Sequence, residues 1–387
     1  MIARISIPII LVILLTAKCI DWRYACRWRW LFRLMPWILA LACVAATVVM
    51  ALQKDYFPDR FDVLFLYLHI LGFIVAPTAI FAFCSIFGSR KVFFGLPLGR
   101  FVGGLLAVLT VVCYVYGSFV GPTQLKVRYV ELSFPDLPQA FDGYRIVQVS
   151  DLHLGSFING REALLRQAVD SINAQDADLV AFCGDIQNKQ PSEIMPFVDL
   201  LKTVKAKDAV CSVLGNHDYT RYIDETNSYL VERNMGLTRS IQTDDLGWTL
   251  LDNNRIIIRR DSSRIVVAGM ENDGEGHFPQ LGNINTALWG ISREDFVVMI
   301  EHDPTSWRRK ILPHSHAQIT LSGHTHGGQV RLFGWTPASI IYREYDGIYR
   351  ANGQSSSRVL SVTKGLGGVV PFRLACPPEI VVITLRK

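Results

Sequence analysis

Four apolar runs at the start of the chain, Ile5 to Ala17, Leu34 to Leu52, Val63 to Phe87 and Phe101 to Val120, constrain the fold more than any other feature. Inside a bilayer no water reaches the backbone N–H and C=O groups, so a spanning segment has to be a helix or part of a closed barrel. Runs of about 20 residues are twice the length of a barrel strand and match a spanning helix. The last three runs reach or approach that length, and the first does so if it continues through Lys18 and Ile20. A cleaved signal peptide is the rival reading of the first run. Arg4 is a thin basic start, however, and Lys18 stands before Cys19, where a lipoprotein-type cleavage site needs a small residue. The sequence therefore predicts about four retained helices over residues 1–122, followed by a globular domain over residues 123–387.

The loops between the runs orient them. The stretch from Lys18 to Arg33 mixes cations with tryptophans, which suits the headgroup zone of the cytoplasmic face. Gln53 to Asp62 sets three aspartates against Lys54 and Arg60, and the third loop carries Arg90, Lys91 and Arg100 with no acid. This alternation predicts that everything after Gly121-Pro122 is extracytoplasmic. It also accounts for basic residues in a chain of net charge +5, so a nucleic-acid partner is not expected. His69 and Pro77, inside the third run, are read as helix-packing residues. The eight cysteines show no C-x-x-C spacing, and neither a zinc knuckle nor a disulfide framework is indicated.

Beyond Lys126 the apolar runs shorten to strand length, and several end in metal-ligand chemistry. Tyr144 to Ser150 leads into Asp151-Leu152-His153, and Asp178 to Cys183 into Gly184-Asp185. Ala209 to Leu214 delivers Gly215-Asn216-His217-Asp218, Phe296 to Ile300 delivers Glu301-His302-Asp303-Pro304, and Ala317 to Leu321 delivers Gly323-His324-Thr325-His326-Gly327-Gly328. Helical spacing of apolar residues from Arg161 to Ala174 separates the first two of these strands, which implies parallel pairing. A second helix is expected from Ser192 to Val204 with Ser192 as its cap. Val127 to Phe134, Arg264 to Met270, Val359 to Val362 and Ile380 to Leu385 read as further strands. A single Asp-x-His or Gly-Asp is ordinary turn chemistry, but five strand ends yield Asp151, His153, Asp185, Asn216, His302, His324 and His326, all nitrogen or oxygen donors.

In order, these blocks resemble the five signature motifs of the calcineurin-like metallophosphoesterase superfamily, over roughly Arg145 to Leu385. The linking pieces resemble its bacterial membrane-associated branch, typified by the YkuE and YaeI proteins. The resemblance implies an α/β fold, a four-layer α-β-β-α sandwich; the all-helical transmembrane anchor before it lies outside the resemblance, and its expected setting is a bacterial inner membrane. It implies that Asp151, His153 and His326 hold one divalent ion, that Asn216, His302 and His324 hold a second, and that Asp185 bridges them. His217 would contact the substrate or leaving group, with Asp218 orienting its ring. One departure stands out: many relatives place another acid soon after Gly-Asp, where this chain has Ile186-Gln187-Asn188-Lys189.

The implied chemistry is hydrolysis of a phosphomonoester or phosphodiester by a water that two ions acidify. Mixed nitrogen and oxygen donors favour Mn, Fe or Zn. Anchoring favours an amphiphilic substrate such as a phospholipid or lipid-linked phosphate. The alternative is a catalytically idle metal-binding interaction module of a membrane complex; the presence of His217 argues for the enzyme. His277, in the turn-rich stretch Asn272 to Pro279, is read as a rim over the site, and His314 and His316 as a solvated loop.

Overall fold

The computed structural model describes residues 2–24, 30–52, 61–88, 97–158, 160–222, 227–351 and 358–387. The basic and acidic loops that orient the helices fall largely at 25–29, 53–60 and 89–96, outside the described residues. The chain divides into two compact units, Met1–Gly117 and Ser118–Lys387.

In the first unit, α1 (Ile2–Tyr24), α2 (Trp30–Leu52), α3 (Phe61–Ile70), α4 (Ala76–Ile86) and α5 (Leu98–Val115) follow the apolar runs. Among the described residues, four segments are long and apolar enough to cross a membrane: Ile5–Trp22, Arg33–Leu52, Asp62–Ile86 and Leu98–Thr123. The first helix does continue through Lys18 and Ile20. A π-helical turn at Leu71–Val75 joins α3 to α4, with Pro77 just after it in the first turn of α4, where its missing N–H is tolerated. His69 Nδ1 lies 2.6 Å from the Tyr114 hydroxyl, and Gly72 leaves room for the Tyr114 ring. His69 therefore serves helix packing, as the sequence suggested.

The second unit is a sandwich of two six-stranded mixed sheets. One has the order β1 (Lys126–Ser133), β12 (Glu379–Arg386), β2 (Arg145–Val149), β3 (Leu179–Phe182), β4 (Ala209–Ser212), β5 (Thr249–Leu250). The other has the order β10 (Gly347–Arg350), β11 (Val359–Val362), β9 (Ile319–Ser322), β8 (Phe296–Ile300), β7 (Ser263–Gly269), β6 (Asn254–Arg260). β2 to β5 run parallel, as do β7, β8, β9 and β11. The central strands are apolar throughout because alternate residues face different layers. Ile146, Ala181, Val298 and Leu321 pack between the sheets. Val147, Val180 and Phe182 instead meet α6 (Glu162–Asn173) through Leu165, Val169 and Ile172. On the far side, Val266, Val297 and Met299 meet Trp307, Ile311 and Ile284. These are the four α-β-β-α layers.

The helix expected from Ser192 to Val204 does not form as one piece. Pro191–Glu193 and Met195–Phe197 are separate 3-10 turns, and only Val198–Leu201 is α-helical. Pro196 cannot supply the N–H that a continuous helix needs at that point. Nor is Ser192 the cap: Gln190 and Glu193 cap the first turn reciprocally. β5, β6 and β10 complete the sheet edges and lack an apolar run strong enough to mark them.

β12 returns between β1 and β2, parallel to the first and antiparallel to the second. At its start the almost fully buried Glu379 carboxylate pairs with Arg128 at 3.1 Å and Lys364 at 3.0 Å. Burial opposes its ionisation, but Arg128 and then Lys364 outweigh that and hold its pKa below the ordinary glutamate value. Its contribution is thus present above the unfolded-chain pKa and lost as pH falls through the depressed folded value. Glu379→Gln should destabilise the domain by about 3 kcal/mol at neutral pH. In denaturant titrations, the difference from wild type should shrink as the pH is lowered below about 4.

Candidate metal centre

All seven expected ligands converge at the carboxyl ends of β2, β3, β4, β8 and β9. Five of them, Asp151, His153, Asp185, His324 and His326, have φ between 49° and 70°, a left-handed backbone that side chains larger than glycine seldom adopt. Such a backbone turns each donor inward from its strand end. Gly184 permits a close approach of two loops: a Cβ there would lie 2.6 Å from the Gly215 nitrogen and 2.8 Å from His302 Nδ1.

Two donor groups flank one carboxylate, and a third, His153, Asp185 and His217, overlaps both of them. Asp151, His153 and His326 bring three ligand atoms within 4.8 Å of one another, and so do Asp185, His302 and His324. Asn216 Oδ1 joins the second group, 3.1 Å from His302 Nε2 and 2.8 Å from His324 Nδ1. Asp185 Oδ2 lies 3.6 Å from His153 Nε2 and 3.2 Å from His302 Nε2, between the two groups.

In His302 and His324 the outer ring nitrogen is held by the protein, which fixes the inner one. His302 Nδ1 donates to the Cys183 carbonyl at 2.7 Å, leaving Nε2 to face Asp185 and Asn216. His324 Nε2 meets the Tyr342 hydroxyl at 3.0 Å and the Asp303 carboxylate at 3.4 Å, leaving Nδ1 for the centre. The Asn216 amide nitrogen donates to the Tyr222 hydroxyl at 2.9 Å, which turns its oxygen inward.

The donor set fits divalent cations. Both ring nitrogens of His153, and Nδ1 of His326, are buried with no hydrogen-bond partner. Burial lowers the pKa of His153 and His326 well below the ordinary histidine value, so both rings are neutral and offer lone pairs. For Asp185, burial opposes ionisation, yet His302 and His217 draw its pKa well below the usual range. For His302, burial opposes the charge, but Asp185 raises its pKa to about 10. A field that holds a proton beside Asp185 so firmly is one in which a cation replaces that proton.

His217 and Asp218 are both at the centre, but they do not act on one another as expected. The His217 backbone N–H donates to Asp185 Oδ1 at 2.8 Å, while ring Nδ1 donates to the Asn188 carbonyl at 2.6 Å. Asp218 instead accepts backbone N–H bonds from Asp185 at 2.8 Å, Gly215 at 2.9 Å, Ile186 at 3.0 Å and Gln187 at 3.4 Å. Its carboxylate clips the β3 loop to the β4 loop and leaves the ring to Asn188. Asn188 is fixed in turn by Glu193, whose carboxylate accepts from its backbone N–H at 2.7 Å and its side-chain amide at 2.9 Å. Tyr222 and Tyr342 are neighbours that sequence reading did not name, and Asn188 was named only as part of the stretch that departs after Gly-Asp.

His277 lies beside Phe278, whose ring packs edge-on against His324 at 4.8 Å, so the Asn272 to Pro279 stretch does border the site. His314 and His316 take no part in either donor group.

Residues 144–328 match the family described as calcineurin-like phosphoesterase. The chain carries a calcineurin-like metallophosphoesterase domain. A Danio rerio relative named transmembrane protein with metallophosphoesterase domain is 29% identical over 308 residues, which cover 77% of this chain and 66% of the relative, just under two thirds. The Bacillus subtilis metallophosphoesterase YkuE is 27% identical over 280 residues, covering 71% of this chain and 90% of YkuE. The UDP-2,3-diacylglucosamine pyrophosphatase LpxG of Chlamydia trachomatis is 25% identical over 329 residues, covering 72% of this chain and 96% of LpxG. The metallophosphoesterase domain is that of a metal-dependent phosphoester hydrolase, and with four apolar helices before it the chain is a membrane protein.

Asp218→Asn replaces an acceptor of four backbone N–H groups by an amide that repels some of them. Hydrogen exchange at the amides of Asp185, Ile186 and Gly215 should lose about a hundredfold of protection, with a stability loss of about 3 kcal/mol. Unchanged protection would show that the clip is dispensable.

Proposed function

We propose that this chain is a membrane-anchored phosphohydrolase, residues 1–122 its anchor and residues 123–387 its catalytic domain, cleaving a phosphomonoester or phosphodiester at a dinuclear centre. The observation that carries the reading is the position of Asp185 Oδ2 between two donor groups. Asp151, His153 and His326 would hold one divalent cation, Asn216, His302 and His324 the other, and Asp185 would bridge them. Imidazole and amide donors mixed with carboxylates favour Mn, Fe or Zn over the all-oxygen sites of Mg or Ca. Bound there, the pair would acidify a water and neutralise charge on the phosphoryl oxygens.

The remaining work falls to the chain. Because the Asn188 carbonyl holds a proton on His217 Nδ1, the other nitrogen, Nε2, is the one that exchanges a proton with the reaction. As imidazolium, His217 donates that proton to the departing oxygen, and the hydrogen bond from its backbone N–H to Asp185 keeps it at the centre. The Tyr342 and Tyr222 hydroxyls hold His324 and Asn216 in ligating orientation.

The basic loops support a bacterial inner membrane with the domain on the extracytoplasmic side. An amphiphilic phosphoester is the favoured substrate class, because the anchor keeps the domain at a lipid surface and the name of the Chlamydia trachomatis relative denotes a diacylated substrate.

The test is hydrolysis of p-nitrophenyl phosphate and bis-p-nitrophenyl phosphate by the full chain in detergent, after chelation and with Mn, Fe, Zn or Mg restored. His217→Ala should lower turnover by about 10²- to 10⁴-fold while retaining its metal. Asp185→Asn should lose metal from both halves of the centre, read by elemental analysis. Undiminished turnover in His217→Ala removes the assigned acid, and no turnover from a chain with two bound ions assigns an idle binding module.

A further inference from the structure

Most exposed large apolar residues of the second unit are scattered singly, as Tyr129, Met195, Ile257 and Trp289 are. Five others fall within ten residues: Leu332 is 44% exposed, Trp335 51%, Ile340 and Ile341 each 74%, and Phe333 is fully exposed. A patch this dense on a soluble surface signals a binding partner.

The patch has a defined shape. Leu332 and Trp335 exchange both backbone hydrogen bonds at 2.9 Å, closing a two-residue hairpin with Phe333 and Gly334 at φ 52° and 86°. Turns with two positive φ values favour Asn-Gly, and a phenyl group is poorly suited to the first position. Ile340 and Ile341 end the short helix Ala338–Ile341 that follows.

The patch is tied both to the site and to the point where the chain enters the domain. Thr336 Oγ1 donates to the Gly327 carbonyl at 2.7 Å, and Tyr342 holds His324, so the apolar residues lie between anchors of the two site histidines' loop. Next to the hairpin, Arg331 N–H donates to the Leu374 carbonyl at 2.8 Å, and Val330 pairs with Leu374. The preceding residue, Arg373, meets the entering chain: a Cβ on Gly121 would lie 1.7 Å from its carbonyl oxygen, so the two backbones touch. The Arg373 guanidinium is buried and donates to the Lys364 carbonyl at 2.8 Å and to the His326 carbonyl at 3.5 Å. Gly121 belongs to the apolar segment Leu98–Thr123, and β1 begins at Lys126, just beyond the end of that segment.

We propose that the hairpin Arg331–Trp335 and the helix Ala338–Ile341 insert into the interfacial layer of the bilayer crossed by that segment, setting the site against a phosphoester whose acyl part stays in the membrane. Chain connectivity selects the bilayer as occupant, since the hairpin pairs with Leu374, the neighbour of the Arg373 that meets Gly121 in the apolar segment. The residue types agree: phenyl, indole and isoleucine groups enter the acyl boundary, and Arg343, whose side chain is 69% exposed and lies 3.6 Å from a Glu344 carboxylate that Arg308 also neutralises, adds a cation for anionic headgroups. The membrane contact stands on the surface itself; the substrate class rests on the phosphohydrolase reading.

The test uses the full chain in vesicles of phosphatidylcholine, phosphatidylglycerol and phosphatidic acid. Trp335 emission is isolated as the difference between wild type and Trp335→Phe. Nitroxide lipids labelled at headgroup depth should quench about half or more of that component. Quenching by aqueous iodide with no effect of nitroxide lipid overturns the proposal and leaves the patch to a soluble partner or a second copy.

The paired substitution Phe333→Asn and Ile340→Asn keeps a residue suited to the turn at its tip and touches no site residue. Hydrolysis of bis-p-nitrophenyl phosphate should stay within about twofold of wild type, while release of product from the vesicle lipids falls about tenfold or more. Equal lipid hydrolysis by both proteins overturns the assignment. If wild type cleaves the soluble ester and none of the lipids, the lipid substrate is refuted and the quenching alone decides the contact surface. If it cleaves neither ester class, the phosphohydrolase reading fails separately.

Discussion

A carboxylate with no water around it keeps its charge only where cations or hydrogen-bond donors surround it, and Asp185 sets that condition for the whole second unit. It is 1% exposed and faces His153 and His302, with a backbone N–H from His217 on its other oxygen. Each of those groups comes from a different strand end. The sheets therefore have to bring β2, β3, β4 and β8 into register before the charge is satisfied.

The sandwich meets that demand with polar links as well as apolar layers. Gln148, buried in β2, donates to the Ser322 and Ser361 carbonyls at 2.9 and 3.0 Å and so joins the two sheets close to the site. Asp218 clips two loops of the first sheet, and the nearby Asp185 charge, after burial itself, pushes its pKa up to about 8. Two carboxylates so close favour a centre that takes up positive charge. The left-handed backbone at five ligand positions is disfavoured in isolation, and packing on every side maintains it.

The same unit joins its chemistry to its point of entry. Arg373 links the His326 carbonyl to the backbone that touches Gly121, so the second histidine of the Gly-His-x-His loop is one residue's reach from the end of the last apolar segment. The apolar hairpin grows from the neighbouring bridge.

Much of this was legible in the chain. Strand-length apolar runs that end in Asp151, Asp185, Asn216, His302 and His324 identify the donors, since residue type and position at a strand end are local properties. Runs of about 20 apolar residues identify spanning helices for the same reason. Partner choice was not legible. His217 lies next to Asp218, yet its ring goes to the Asn188 carbonyl and Asp218 goes to four backbone N–H groups, because the turn after Asn216 sends the two side chains apart. Pro196 broke a helix that periodicity favoured. The return of β12 between β1 and β2, the tyrosines behind His324 and Asn216, and the pairing of the hairpin with Leu374 depend on residues distant in sequence, 251 positions apart for Arg128 and Glu379, meeting in space. The sequence by itself determined which chemical groups are present and which segments can cross a lipid layer; the tertiary structure alone decided which groups face one another, because hydrogen-bond and metal geometry is set within a few ångströms that no sequence spacing specifies.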